Sequence, residues 1–213
     1  MKTDELIDLL AHNAAPVSRH SIEQRFALAA LAGLAGAVAL MLSLFGLRPD
    51  LAQTLALPMF WGKLMFAAAL VAGGVALLRR LARPGLGLGH TLVLLALPPA
   101  VVWVLALVVL GQAEPDERLP LVFGATWRTC PFNIAALATP ALFALLWALR
   151  GAAPTRPVWA GAGAGLLAGA LAVLAYALHC PEMAAPFLAV WYLVGMAIPT
   201  VVGALLGPRL LRW

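Results

Sequence analysis

An all-α polytopic membrane protein with six transmembrane helices is the fold this sequence predicts, on three observations. Of its 213 residues 63% are hydrophobic and 11% charged, whereas charged residues make up about a quarter of a soluble domain. Six apolar runs, near 26–47, 58–78, 90–110, 131–149, 158–178 and 184–207, are long enough to cross a hydrocarbon core of about 30 Å, which takes about 20 helical residues. The runs also lack the alternating polar pattern of barrel strands, and within lipid only helices and closed barrels satisfy every backbone polar group. The chain therefore divides into a polar head, 1–25, and a six-helix membrane domain, 26–213.

The head opens with Thr3 in a position to cap a helix and with Asp4 and Glu5 in its first turn, followed by Leu6, Ile7, Leu9 and Leu10. That order predicts a short amphipathic helix ending near Pro16. It has too few apolar residues for a core of its own, so it lies on the membrane, docks on loops or sits in a partner's groove. Its acidic residues stand where a cleavable signal would be basic and then apolar, so the sequence predicts a retained N-terminus. With that terminus in the cytoplasm, ten Lys and Arg fall on the inner side (Lys2, Arg19, Arg25, Arg79, Arg80, Arg83, Arg150, Arg156, Arg209 and Arg212) against Arg48, Arg118 and Arg128 outside. This is the positive-inside pattern. The +5 net charge is spread over several membrane-flanking segments and forms no single stripe, so anionic lipid headgroups account for it and direct nucleic-acid binding is excluded.

The first outer loop, about 48–57, joins spans one and two. Lys63 then falls about one turn inside span two, beside Trp61. It either snorkels to the headgroups with Trp61 as interface anchor or pairs with a carboxylate such as Glu182. The Arg79-Arg80-Leu81-Ala82-Arg83-Pro84 loop leads into Gly85, Gly87 and Gly89 without the pattern of a phosphate cradle. Pro98 and Pro99 predict a kink in span three. Span five carries Gly161, Gly165 and Gly169 at four-residue spacing, which makes a groove where another helix can approach closely. Packing within the bundle is the stronger use of that groove, because five other spans are at hand.

Chemistry concentrates at the two cysteines, Cys130 and Cys180, each followed by proline. The topology puts both on the outer face, at the ends of spans four and five, facing an oxidising compartment with Arg128, His179 and Glu182 alongside. Three uses are open to such a pair: a redox or soft-metal sensing site, a structural disulfide, or unpaired packing thiols. As ligands, two sulfurs with His179 or Glu182 would suit a transient soft metal ion, and no cofactor is required. Neither an oriented Cys/His pair nor paired carboxylates suggest an enzyme.

Several segments together resemble the NrsF-like family over essentially the whole chain. They are Met1-Lys2-Thr3-Asp4-Glu5-Leu6-Ile7, Thr126-Trp127-Arg128-Thr129-Cys130, Ala153-Pro154-Thr155-Arg156-Pro157, Tyr176-Ala177-Leu178-His179-Cys180-Pro181-Glu182 and Gly207-Pro208-Arg209-Leu210-Leu211-Arg212-Trp213. The resemblance implies an inner-membrane anti-sigma factor that sequesters an extracytoplasmic-function (ECF) sigma factor. It further implies a six-span fold and two periplasmic cysteines, here Cys130 and Cys180, that respond to heavy-metal or oxidative stress. On that reading Leu6, Ile7, Leu9 and Leu10 anchor the sigma factor. Modification of the thiols then changes the tilt of spans four and five and acts through the 150–157 loop. A small transporter or channel, or a structural assembly subunit, is the alternative function.

Overall fold

The computed structural model describes residues 3–12, 21–83, 87, 89–152 and 154–212. Every regular element among them is helical, and six helices are long and apolar enough to cross a membrane. In chain order these elements are α1 (Thr3–His12), α2 (Ser21–Leu44), α3 (Leu51–Thr54), α4 (Pro58–Leu81), α5 (Thr91–Gln112), α6 (Arg118–Phe123), α7 (Cys130–Arg150) and α8 (Pro157–Tyr176). The last span begins with the turn α9 (Ala185–Phe187), passes through a π-helical segment (Leu188–Tyr192) and ends as α10 (Leu193–Leu210). Helix α2 starts at Ser21, so Glu23 and Arg25, grouped with the head by the sequence, lie inside its first two turns. Pro16 lies outside the described residues. Of the head's apolar anchors only the side chain of Ile7 is described, and it is 57% exposed; those of Leu6, Leu9 and Leu10 are not.

Helix α8 is the axis of the bundle. More than half of its residues are Gly or Ala, and α2, α4, α7 and α10 all pack on it. Such small residues let backbones meet where lipid gives helices no hydrophobic reason to associate. The closest seam is with α10. Gly161 faces Gly203 and Gly207, Gly165 faces Pro199 and Thr200, and Gly169 faces Met196. A Cβ on Gly161 or Gly165 would collide with the carbonyl oxygen of Gly203 or Pro199. The three glycines of the sequence motif thus lie in an internal seam. On the other side α7 contributes Ile134, Leu137, Leu145 and Leu149 to the core, and α2 meets α7 where Gly33 abuts Ala141.

Helix α5 holds the bundle least. It carries Pro98 and Pro99 in its middle and leaves Leu94, Leu97, Val101, Val104 and Leu105 exposed. A lipid-facing surface of this kind is the expected outside of a membrane bundle. One end of the bundle holds Cys130 and Cys180 and is called the thiol end. The other, the arginine end, holds Arg25, Arg79, Arg80, Arg83, Arg150, Arg156 and Arg209.

The seam predicts a position-specific cost. Gly165→Leu should destabilise the chain in detergent by about 1–3 kcal/mol, the usual range for overpacking a tight core. Gly62→Leu, where a side chain meets nothing within 4 Å, should stay within about 0.5 kcal/mol. Reversible unfolding in mixed micelles, followed by circular dichroism, measures both.

Candidate functional site

The two Cys-Pro pairs do opposite jobs at the backbone. Pro131 sits in the first turn of α7, where its missing N–H is no loss, while Pro181 follows Cys180 in the link that closes α8. Before that stop the chain makes one last turn, with Cys180 N–H donating to Tyr176 O at 2.9 Å and His179 N–H to the same oxygen at 3.0 Å. Cys130, the first residue of α7, donates its N–H to Thr126 O at 2.9 Å. These two turns bring the two thiols close enough to interact. Both thiols are free, and both are 0% exposed. The pair therefore lies beneath the surface of the thiol end, where the sequence expected it at an open face.

Aromatic rings form the cover. Tyr176 packs against Tyr192, Phe45 and His179 at centroid distances of 6.2, 6.5 and 5.7 Å, and Phe187 stands 6.4 Å from Tyr192. Tyr176 and Tyr192 are the chain's two tyrosines. Asn133, one turn into α7, donates from Nδ2 to the Tyr176 hydroxyl at 3.3 Å. The Tyr192 hydroxyl is buried and has no hydrogen bond of standard geometry among the described residues; it lies beside Cys180. The π-helical segment that ends at Tyr192 shifts the register of the last span there, and such segments recur at functional sites.

Lys63 is the more deeply buried of two cations at this site. It is 1% exposed and neither snorkels outward nor pairs with the Glu182 carboxylate. Its Nζ donates to the backbone oxygens of Cys180 at 2.9 Å and Glu182 at 3.0 Å, and it stands 5.3 Å from the centre of the Tyr192 ring. These carbonyls lie in the link beyond the end of α8, which Pro181 helps to stop. Arg48 reaches the same Cys180 oxygen at 3.4 Å. Its guanidinium is also clamped to Asp50 by two bonds of 2.7 Å, and that pairing holds the Asp50 carboxyl down at about 2 and raises Arg48 above its ordinary value. The Cys180 thiol is held below the ordinary thiol range, first by the hydrogen bond with Cys130 and then by the Lys63 charge, against the opposing effect of burial.

The three residues expected beside the thiols have other work. Arg128 is exposed and lies 5.1 Å from the Trp127 ring centre; the cations at the pair are Lys63 and Arg48. The Nδ1 of His179 bonds the Gly46 carbonyl at 3.0 Å, so it carries the proton there. One Glu182 carboxylate oxygen accepts from Ala125 N–H at 2.8 Å, Thr126 N–H at 3.2 Å and Thr126 Oγ1 at 3.3 Å. It pins the segment before α7, where Gly124 takes φ 54° and a Cβ would strike that carboxylate. Trp191 fastens the same segment by donating to Val122 O at 2.9 Å. Among the described residues no group of three or more His, Cys, Asp or Glu is placed to hold a metal ion.

Comparison with known proteins places this architecture. A family model described as "NrsF: Negative regulator of sigma F" matches residues 10–213. A protein of Azospira oryzae named "Probable anti-sigma-F factor NrsF" is 49% identical over 213 residues, covering all of both chains. One of Caulobacter vibrioides named "Anti-sigma-F factor NrsF" is 40% identical over 227 aligned positions, again covering all of both. No solved structure matches.

The Arg48–Asp50 clamp predicts an acid response. Because the folded-state value of Asp50 lies below its ordinary 3.8, at about 2, the folded chain binds fewer protons than the unfolded chain between those values. The clamp's stabilisation is therefore complete above about pH 4 and fades as pH falls towards 2. The thermal midpoint in detergent should drop less steeply from pH 5 to 2.5 in Asp50→Asn than in the parent chain, and the two curves should converge at the acid end.

Proposed function

The chain belongs to the NrsF family, and we propose from that premise that it is a membrane-bound anti-sigma factor. It holds a sigma factor of the ECF class at the inner membrane and releases it when Cys130 and Cys180 respond to heavy-metal or oxidative stress. The names of two full-length relatives support the anti-sigma role. The observation that carries the sensing role is the contact between the chain's two cysteines, drawn from separate segments into one buried site.

The excess of arginine at the end opposite the thiols supports an orientation with that end in the cytoplasm and the thiols towards the periplasm. The head, residues 1–25 by the sequence, then belongs to the compartment where a sigma factor meets RNA polymerase. Exposed Ile7, with Leu6, Leu9 and Leu10 in the same short segment of sequence, is the kind of apolar anchor a partner's groove would take. Lipid and the sigma factor are the partners on this reading.

At the pair, loss of two protons and two electrons to an oxidant forms one S–S bond. A soft metal ion would instead find two sulfurs, since His179 and Glu182 already serve the backbone, so capture there would be transient and need no resident cofactor. Transport is the weaker reading. Among the described residues the buried polar or charged side chains besides Lys63 are Arg48, Thr54 and Thr91, which do not mark a path through the bundle.

Two outcomes test the parts of this reading. Deleting residues 2–20 should abolish co-purification of the sigma factor from mild detergent; full retention would remove the head from the mechanism. Cys130→Ser with Cys180→Ser should keep the partner bound and reduce metal or oxidant induction of sigma-dependent transcription by about tenfold or more, the scale of a coupling of 1–3 kcal/mol. Undiminished induction would end the sensing role.

A further inference from the structure

Lys63 is a buried ammonium with no carboxylate partner among the described salt bridges. An ionisable group at membrane depth is costly to keep, and the polypeptide offers two carbonyls of one short link as its reward. That link, 177–184, carries Cys180. We infer that Lys63 is the residue through which the state of the thiol pair reaches the arginine end, with α4 as the lever. The inference rests on the sensing role proposed above and names its route.

The geometry supports each step. Drawing Cys180 towards Cys130, to the ~2.05 Å of a disulfide, pulls on the 180–182 backbone that carries it. Lys63 follows, because both carbonyls that hold it belong to that backbone and the surrounding rings offer it no water. Lys63 sits in the second turn of α4, and Arg83 lies twenty residues on, roughly 30 Å along the helix direction. There Arg83 pairs with Glu23 of α2 at 2.9 Å. Between α2 and α4 at this end lies a cavity of about 290 Å³, lined by Glu23, Phe26, Leu78, Arg79 and Leu167 among others. The two helices each pack on α8, so the ion pair bridges a gap and yields when α4 moves. Glu23 is the third residue of α2, directly after the segment that leads from the head.

Other contacts to the link do not give the same reach. Arg48 and His179 tie it to the loop after α2, and Glu182 ties it to the segment before α7; all three stay at the thiol end. Lys63 alone of these is seated on a long helix that runs to the other side.

The test uses the full chain in lipid nanodiscs, bridged with a diazenedicarboxamide oxidant, which takes up the two thiol protons and two electrons to become the hydrazine. Bridging is counted by loss of maleimide-reactive thiol after denaturation. Hydrogen exchange of residues 21–30, followed by mass spectrometry, reports the arginine end. In the parent chain bridging should speed exchange there by about threefold or more. In Lys63→Met the bridge should still form, while the exchange response falls to less than about half of that; Lys63→Arg, which keeps two donors, should restore it in part. Arg83→Gln, which leaves the buried site untouched, should also blunt the response. A parent-sized response in a bridged Lys63→Met or in Arg83→Gln overturns the α4 route while leaving the sensing role standing. Absence of any response in the bridged parent chain overturns both.

Discussion

The link between α8 and the last span governs the thiol end. A chain that stops a helix inside or just at the edge of a bilayer must find donors for its bare carbonyls without help from water. Here Pro181 removes one intra-helical solution, and Lys63 and Arg48 supply another, converging on the Cys180 carbonyl from two directions. The cost of burying the ammonium and the cost of leaving the carbonyls unbonded offset each other in part. Removing either side would leave a desolvated group worth several kcal/mol in lipid. The position of the cysteine is thus set by electrostatics on its own backbone, and the sulfur is left with Cys130 and Tyr192 as neighbours.

Much of this was legible in the sequence, and the boundary of legibility has a physical cause. Span number and helical class follow from hydropathy because lipid imposes length and internal hydrogen bonding on every crossing segment. The nearness of Cys130 and Cys180 follows from their places at the same end of α7 and α8. What the sequence could not display is a side chain that binds backbone. Lys63 and Glu182 read naturally as an ion pair, since each is the other's obvious charge partner, yet Lys63 takes carbonyls and Glu182 takes the N–H groups of Ala125 and Thr126. Backbone acceptors and donors are present at every residue, so no pattern of residue types announces them. Burial of the pair escaped for a related reason: the rings at this end come from the stretch around Cys180 itself, Tyr176, His179, Phe187 and Tyr192, joined by the distant Phe45, and the sequence does not say that they fold back over the thiols. One signal was available, since the chain's two tyrosines flank the cysteine link at 176 and 192.

The bundle also divides into a stiff half and a compliant half. Along α8 and α10 backbone meets backbone, with Gly161 against Gly203 and Gly165 against Pro199. A seam that close has no side chains whose rotamers could absorb a displacement, so it resists both sliding and separation. Opposite it, α4 and α5 present a lipid-facing groove of about 400 Å³ around Met65, Phe66, Leu97, Pro98 and Val101, and α2 stands off α4 at the arginine end across the cavity beside Glu23. Empty volume next to a helix removes the neighbours that would otherwise oppose its motion.

This asymmetry decides where a displacement at the thiol end can go. A contraction between Cys130 and Cys180 pulls on α7 and on the link. Helix α7 is held along its length by the buried leucines it shares with the core, and α8 is held by the glycine seam, so neither moves without disturbing close packing. Helix α4 also shares core residues with α8, but it borders the cavity beside Glu23 and the groove beside α5 and carries the direct tether. Packed interfaces tend to hold one of two arrangements and to resist small continuous deformation, whereas an ion pair across a cavity can lengthen at little cost, its members being partly solvated. The physical contrast between a seam with no free space and a gap bordered by the Arg83–Glu23 ion pair is what makes the second span, and not the cysteine-bearing helix itself, the compliant path from one face of the bundle to the other.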